Sequence, residues 1–246
     1  MINRAPVYWY DDIDSTSEEA KRRAKRGETS AVWIAARQQN AGKGRLGRDW
    51  ASPTGNLFTT ALFPEPSGLA HAARIPFAAA LAVRDACAAS VPTIAAKLKW
   101  PNDVRVAGKK ISGILTETGE TNGLTWIALG MGLNVQHAPD GVGQGTTSLV
   151  KEGAPASIQP EHVLQDLREA LNKRVEQARN DFEGLLEDWL HHAEGRGQIM
   201  QAGPPNDRVE GVFEDLAADG GLRLRLPDGA YRTIRAGDVE LVKQVG

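Results

Sequence analysis

Residues 98–135 alternate short apolar runs with tight turn signals, and nothing else in the sequence restricts the fold as strongly. Runs at 98–100 and 104–106 flank Pro101-Asn102-Asp103. Ala107-Gly108-Lys109 leads into 111–118, and a second turn at 120–123 leads into 124–135. Such short connections join antiparallel neighbours, because a parallel pair needs a crossover of roughly a dozen residues or more. The hairpins argue for an antiparallel or mixed sheet rather than a doubly wound one.

The flanking segments fit that plan. Asp14-Ser15-Thr16 precedes a helical run at 17–26, with Ser15 or Thr16 as cap, Glu18 and Glu19 in the first turn and Lys25 and Arg26 in the last. Residues 31–36 and 56–63 read as buried strands, the second stopped by Pro64 and Pro66. Residues 69–90 are helical in pattern, with Pro76 marking a kink or a late start. Residues 141–157 form a polar, glycine-rich loop, and an amphipathic stretch from Pro160 to about His192 breaks near Asn180-Asp181. After Gly195 short alternating segments at 208–215, 222–226 and 231–235 are separated by Asp219-Gly220 and Asp228-Gly229. They describe a small all-β module, and the expected division is 1–197 and 198–246.

Composition removes several classes. Lys plus Arg is 29 against 31 Asp plus Glu, so the charge advertises no general nucleic-acid binding. The single cysteine, Cys87, excludes an intrachain disulfide and a cysteine metal cluster, and reads as a small core residue. The N-terminus lacks a secretory apolar core, and the apolar run at 76–83 is far short of the roughly 20 residues of a membrane span. A cytoplasmic chain is expected. His137, His162, His191 and His192 suggest no catalytic triad; the last two read as a helix-end dipole partner or solvated surface.

The segment Gly42-Lys43-Gly44-Arg45-Leu46-Gly47-Arg48 holds the most chemistry. Its glycines permit a backbone path whose N–H groups converge on an anion, and Lys43, Arg45 and Arg48 surround that path with positive charge. It spells G-x-G-x-x-G, yet Asp49-Trp50-Ala51-Ser52-Pro53 opens no helix, so the dinucleotide reading fails. In Lys99-Trp100-Pro101-Asn102-Asp103 the proline stiffens the backbone from which Lys99, Asn102 and Asp103 project. Asp103 is a candidate Mg²⁺ ligand, since that ion is commonly held by one or two carboxylates plus substrate phosphates. Lys109 and Lys110 face opposite sides of a strand, so one of them can enter a pocket. Gly130 and Gly132 leave room on one face for a flat ligand ring, and Asn134 carries the donor and acceptor that read an adenine edge.

In this order and spacing, Asp14-Ser15-Thr16, Gln39, the glycine–arginine loop with Trp50, Lys99-Trp-Pro-Asn-Asp103, Gly108-Lys-Lys-Ile-Ser-Gly-Ile-Leu115 and Gly130-Met-Gly-Leu-Asn-Val135 closely resemble biotin–protein ligases, the holocarboxylase synthetase family. Ala236-Gly237-Asp238-Val239 is similar to that family's C-terminal SH3-like barrel. The resemblance implies a class II synthetase-like catalytic domain, and with the hairpins it makes the expected fold α+β, a mixed, mainly antiparallel sheet packed by helices. It implies a ligase that joins biotin to ATP as biotinyl-5′-AMP, releases pyrophosphate, and passes the biotinyl group to a lysine of a biotin carboxyl carrier domain, of acetyl-CoA carboxylase or another biotin-dependent carboxylase. ATP and biotin are then substrates and Mg²⁺ the metal.

By position, the resemblance implies biotin contacts from Ser15, Thr16, Ser17, Gln39, Lys43, Gly44, Arg45 and Lys110. It implies ATP contacts from Arg45, Arg48, Trp50, Lys99, Asn102, Asp103, Gly132 and Asn134, with Lys110 and Arg45 catalytic and Asp103 the metal ligand. Ser17 stands where the family often has Asn. Lys43 stands where Arg is usual, which keeps the charge and loses bidentate clamping. Bifunctional bacterial members carry an N-terminal winged helix-turn-helix. With the Ser-Thr motif at residue 15, the resemblance implies the monofunctional type, with no DNA or membrane partner and with monomer and homodimer both open.

Overall fold

In the computed structural model, which describes residues 1–140 and 145–242, a 3-10 turn (Ile2–Arg4) leads into β1 (Val7–Ile13), α1 (Thr16–Lys25), β2 (Val32–Gln39) and β3 (Leu57–Pro64). The helices α2 (Leu69–Ala72) and α3 (Ile75–Ser90) follow, then β4 (Ala96–Lys99), β5 (Asp103–Val106), β6 (Lys109–Thr121) and β7 (Leu124–Leu133). These seven strands form one sheet in the order β1-β2-β3-β7-β6-β5-β4. Every pair is antiparallel except β1 with β2, so the mixed, mainly antiparallel sheet is the one expected. Sequence signals do not announce β1. It is an edge strand without a clean alternation, and α1 supplies the crossover that its parallel pairing needs.

The sheet is buried on both faces. On one, Trp33 and Ala35 of β2, Leu98 and Ile111 pack with α3, α4 (Pro160–Asn180) and α5 (Phe182–His191). On the other, Ala20 and Ala24 of α1 cover Ile34, Leu62 and Ala128. That two-sided burial explains why 31–36 reads as a continuous apolar run. Pro76 falls in the first turn of α3, where its missing N–H costs nothing, so it marks a late start. The helix break lies at Asp181, whose carboxylate accepts from Gly184 N at 3.0 Å and caps α5. Cys87 is buried, and burial pushes its thiol up to about 12.

Two local expectations are corrected. Ser15 is the N-cap of α1, but its hydroxyl makes no capping bond; Gln39 Oε1 from β2 takes the Thr16 N–H instead, at 2.9 Å. His192 is not a cationic dipole partner. Burial, then the charges of Arg84, His191 and Lys97, hold its imidazole down at about 4. Of the loop expected over 141–157, residues 141–144 lie outside those described, and 145–157 hold turns and no helix.

The C-terminal strands β8 (Ile199–Gly203), β9 (Val209–Leu216), β10 (Leu222–Arg225), β11 (Tyr231–Ile234) and β12 (Asp238–Leu241) form a second, antiparallel sheet ordered β11-β10-β9-β8-β12. Trp100 ties the two sheets together: its buried indole N–H donates to Gly220 O at 3.2 Å. Among the described residues no helix is long and apolar enough to cross a membrane.

Candidate active site

A pocket of about 450 Å³, open to solvent, lies where the N-terminus of α1 and the end of β2 meet β3, β7 and β6 beneath the glycine–arginine loop. Ser15, Thr16, Ser17, Gln39, Lys43, Gly44, Arg45 and Lys110 all line it. At one end sits a polar set. Gln39 Oε1 accepts from Thr16 N at 2.9 Å and from Thr16 Oγ1 at 3.1 Å, and Gln39 Nε2 donates to Ser52 Oγ at 3.1 Å. Thr60 Oγ1 donates to Thr16 Oγ1 at 2.9 Å and lies 3.3 Å from Ser17 Oγ. Phe58 and Leu115 supply apolar wall beside these groups.

At the other end Lys110 Nζ meets Asp103 Oδ1 at 2.6 Å and sits 5.2 Å from the centre of the Trp50 ring. The strand pairing explains how Lys110 gets there. Asp103 opposes Gly113 and Val104 opposes Ser112, but Arg105 opposes Lys110, so Ile111 is an extra residue in β6. This bulge shifts the alternation by one and puts Lys110 on the side that Gly113 faces. A Cβ on Gly113 would lie 3.1 Å from Lys110 Nζ. The bulged backbone is not left unpaired: Lys110 N donates to Gly145 O at 2.8 Å, and Lys110 O accepts from Thr147 N at 3.0 Å. Lys109 is exposed.

Gly130 and Gly132 of β7 both border the pocket, and protein groups share the room they leave. A Cβ on Gly132 would lie 2.4 Å from Trp50 Cε2, and one on Gly130 would lie 2.7 Å from Ser17 Oγ. The Trp50 indole packs flat against Gly132.

The loop itself is a tight hairpin, with Gly44 N bonded to Arg48 O at 2.7 Å and Trp50 N to Gly42 O at 2.9 Å. Leu46 takes a left-handed conformation (φ 57°) and Gly47 follows at φ 73°. Its cations are spoken for. Lys43 pairs with Glu18 of α1, whose carboxyl is held down by Lys21 and Lys43. Arg45 Nη1 donates to Asn102 Oδ1 at 3.1 Å, and Arg45 Nη2 to Gly237 O at 3.3 Å. Arg48 Nη2 lies 2.8 Å from Asp238 Oδ2, and Arg45 Nη1 lies 3.5 Å from Asp238 Oδ1.

Beyond Lys110 a larger cleft continues between the two sheets, lined by Arg48, Lys99, Asn102, Asn134, Asp238 and Glu240 among others. Burial, then the positive charge of Arg105, lowers the pKa of Lys99. Asn134 is buried; one amide N–H goes to Thr147 O at 2.9 Å, and Oδ1 has no partner among the described residues. No three His, Cys, Asp or Glu side chains among the described residues gather to hold a metal ion. Asp103 alone, in its ion pair with Lys110, suits an Mg²⁺ that arrives on phosphates rather than a resident ion.

Three participants are given no role by the sequence: Thr60 lies outside every motif, while Gly113 and Asp238 lie within motifs that assign them none. Thr60 reads as strand filler, Gly113 as part of a lysine-led strand, and Asp238 as part of a terminal β segment. The register of Thr60 opposite Gly130 is the observation that exposes the first.

Comparison with known proteins gives a consistent assignment. The family model "Biotin/lipoate A/B protein ligase family" matches residues 10–134, and "Biotin protein ligase C terminal domain" matches 197–242. The biotin–[acetyl-CoA-carboxylase] ligase of Paracoccus denitrificans is 37% identical over 231 residues, covering 88% of this chain and 92% of that protein. The corresponding ligase of Mycobacterium tuberculosis is 33% identical, covering 92% of this chain and 85% of that protein. In fold, the biotin protein ligase of Aquifex aeolicus, solved with biotin and ATP, is similar over 97% of this chain and 99% of that chain, with a TM-score of 0.80 at 24% identity.

Proposed function

Because the chain belongs to the biotin/lipoate A/B protein ligase family, we propose that the pocket and the cleft beyond it are the two substrate sites of one biotin–protein ligase. The enzyme activates biotin with ATP and passes it to a carrier protein. The single observation that carries the site assignment is the order of groups along the cavity. Hydroxyl and amide groups at Ser17 and Gln39 come first, then Lys110 and Arg45, then the cleft with Lys99 and Asn134.

The mechanism follows from that order. Biotin lies with its ring at Ser17 and Gln39 and its carboxylate at Lys110. The carboxylate oxygen attacks the α-phosphorus of ATP, the phosphorus–oxygen bond to the β-phosphate breaks, and pyrophosphate leaves. Two anions must meet for this, and Lys110 and Arg45 offset their repulsion while stabilising charge that builds at phosphorus. Arg48, Lys99 and Asn102 hold the remaining phosphates, and Asn134 and Trp50 lie toward the nucleoside. Mg²⁺, held by the phosphates and Asp103, would neutralise the leaving pyrophosphate.

Phosphates entering the cleft compete with Asp238 for Arg45 and Arg48, which links nucleotide binding to the C-terminal sheet. The ordered loop then shields the mixed anhydride from water. In the second step a carrier lysine amine attacks the acyl carbon, the bond to the phosphate oxygen breaks, and AMP leaves.

We place the catalytic domain at 1–197 and the barrel at 198–246; the family models and the start of β8 at Ile199 support this division. The carrier is the biotin carboxyl carrier domain of acetyl-CoA carboxylase, by analogy with the names of the relatives. A lone, buried cysteine suits the reducing cytoplasm. The test is pyrophosphate release from ATP without carrier. About one equivalent released with biotin, and none with lipoate, is expected for a retained acyl-adenylate. Release with lipoate alone overturns the biotin assignment.

A further inference from the structure

We infer that Thr60 is a positioning residue for the ring end of biotin. It fixes the direction of a buried chain of hydroxyl protons, so that Ser17 Oγ meets the ligand as a hydrogen-bond acceptor. This rests on the reading of the pocket proposed above.

The direction of each proton follows from one irreversible donor. Gln39 Oε1 lies 2.9 Å from the backbone N of Thr16, which can only donate, and this sets which way the amide points. Thr16 Oγ1, 3.1 Å from the same carbonyl oxygen, must therefore donate to it. With its one proton committed, Thr16 accepts from Thr60 at 2.9 Å. Thr60 has then committed its own proton, so at the 3.3 Å contact Ser17 is the donor. Ser17 lines the pocket and has lone pairs left to offer there.

Thr60 itself does not line the pocket and is fully buried, opposite Gly130 in the strand pairing. Gly130 completes the arrangement, since a Cβ there would lie 2.7 Å from Ser17 Oγ.

The ring end thus presents one acceptor at Ser17 and one spare N–H on Gln39 Nε2, whose other N–H goes to Ser52 Oγ at 3.1 Å. A cyclic urea offers an N–H to the first and a carbonyl oxygen to the second. A dithiolane or hydrocarbon end offers neither. Without the Thr60 hydroxyl, Ser17 loses its acceptor and is free to turn its own proton toward the ligand N–H.

The experiment compares wild type, Thr60→Val and Thr60→Ser by calorimetric titration with biotin, alongside the KM for ATP. Thr60→Val is expected to raise the Kd for biotin about tenfold, with the KM for ATP within about twofold of wild type. Thr60→Ser keeps the hydroxyl and is expected to restore biotin affinity. An unchanged Kd in Thr60→Val overturns the proposal. So does a loss in Thr60→Ser as large as in Thr60→Val, or an equal loss for biotin and ATP, since each would mean mere packing. Should Thr60→Val not fold, Thr60→Cys decides the matter, because a thiol is a weak donor and acceptor. A severalfold rise in Kd upholds the proposal and a wild-type Kd overturns it. Wild type that fails to bind biotin overturns the pocket reading and the proposal together. Wild type that binds, beside an unaltered Thr60→Val, overturns the proposal alone.

Discussion

Lys110 Nζ lies 2.6 Å from Asp103 Oδ1, although the two side chains come from neighbouring strands whose regular pairing would have put Lys109, not Lys110, on that side. The extra residue Ile111 makes the difference. Lys110→Ala is expected to lower biotin-dependent pyrophosphate release by about 10²- to 10³-fold, the scale of a removed electrostatic group at a reacting centre. Thermal unfolding should change little, and Lys109→Ala should leave the rate unaltered. An undiminished rate in Lys110→Ala would refute the role.

Asp238 holds Arg45 and Arg48 from the C-terminal sheet. These are partly exposed pairs, each worth about 0.2–1 kcal/mol. Asp238→Asn is therefore expected to loosen the loop modestly. Limited trypsin digestion of the ligand-free protein should cut after Arg45 or Arg48 a few-fold faster than in wild type. Equal cleavage rates would show that the pairs do not restrain the loop.

Gly132 is specified by Trp50. Gly132→Ala would place a Cβ 2.4 Å from Trp50 Cε2 and must displace the indole. A destabilisation of about 1–3 kcal/mol is expected, as for overpacking elsewhere. In a Trp50→Leu background the same substitution should cost much less. Urea unfolding of the four proteins measures the coupling, and additive effects would sink this account.

His192 makes stability depend on pH. Its folded value is about 4 against 6.5 for the free side chain, held down by burial, Arg84, His191 and Lys97, with Asp85 opposing. Between those values the unfolded chain binds the extra proton, so stability falls as pH drops from about 6.5 toward 4. Asp14, held at about 2 by Arg22, and Glu18 add their own loss at lower pH, below their free values of 3.8 and 4.5. The urea midpoint should fall more from pH 7 to pH 5 in wild type than in His192→Gln; identical falls would refute the assignment.

Much of this was legible beforehand because turns and glycines act locally. The hairpins at 107–109 and 120–123 announce antiparallel pairing with no knowledge of partners, and the Asn180-Asp181 break and the start at Pro76 are equally local. β1 was not legible, because its pairing with β2 is parallel and nothing in its own residues signals a partner that comes after a helix. Nor were β8 and β12, short segments that pair with each other across a long stretch of chain, β8 pairing also with β9.

The sequence by itself determined the inventory of the site: which cations, amides and hydroxyls exist, in what order, and the glycines that let backbone and indole come close. Tertiary structure decided how that inventory is used. A bulge chose Lys110 over Lys109, the indole of Trp50 took the space beside Gly132, and Asp238 reached the loop from the far end of the chain. Spacing along the chain sets side-chain direction only while strand alternation is unbroken, and contacts between distant segments are fixed by packing, which no local pattern encodes.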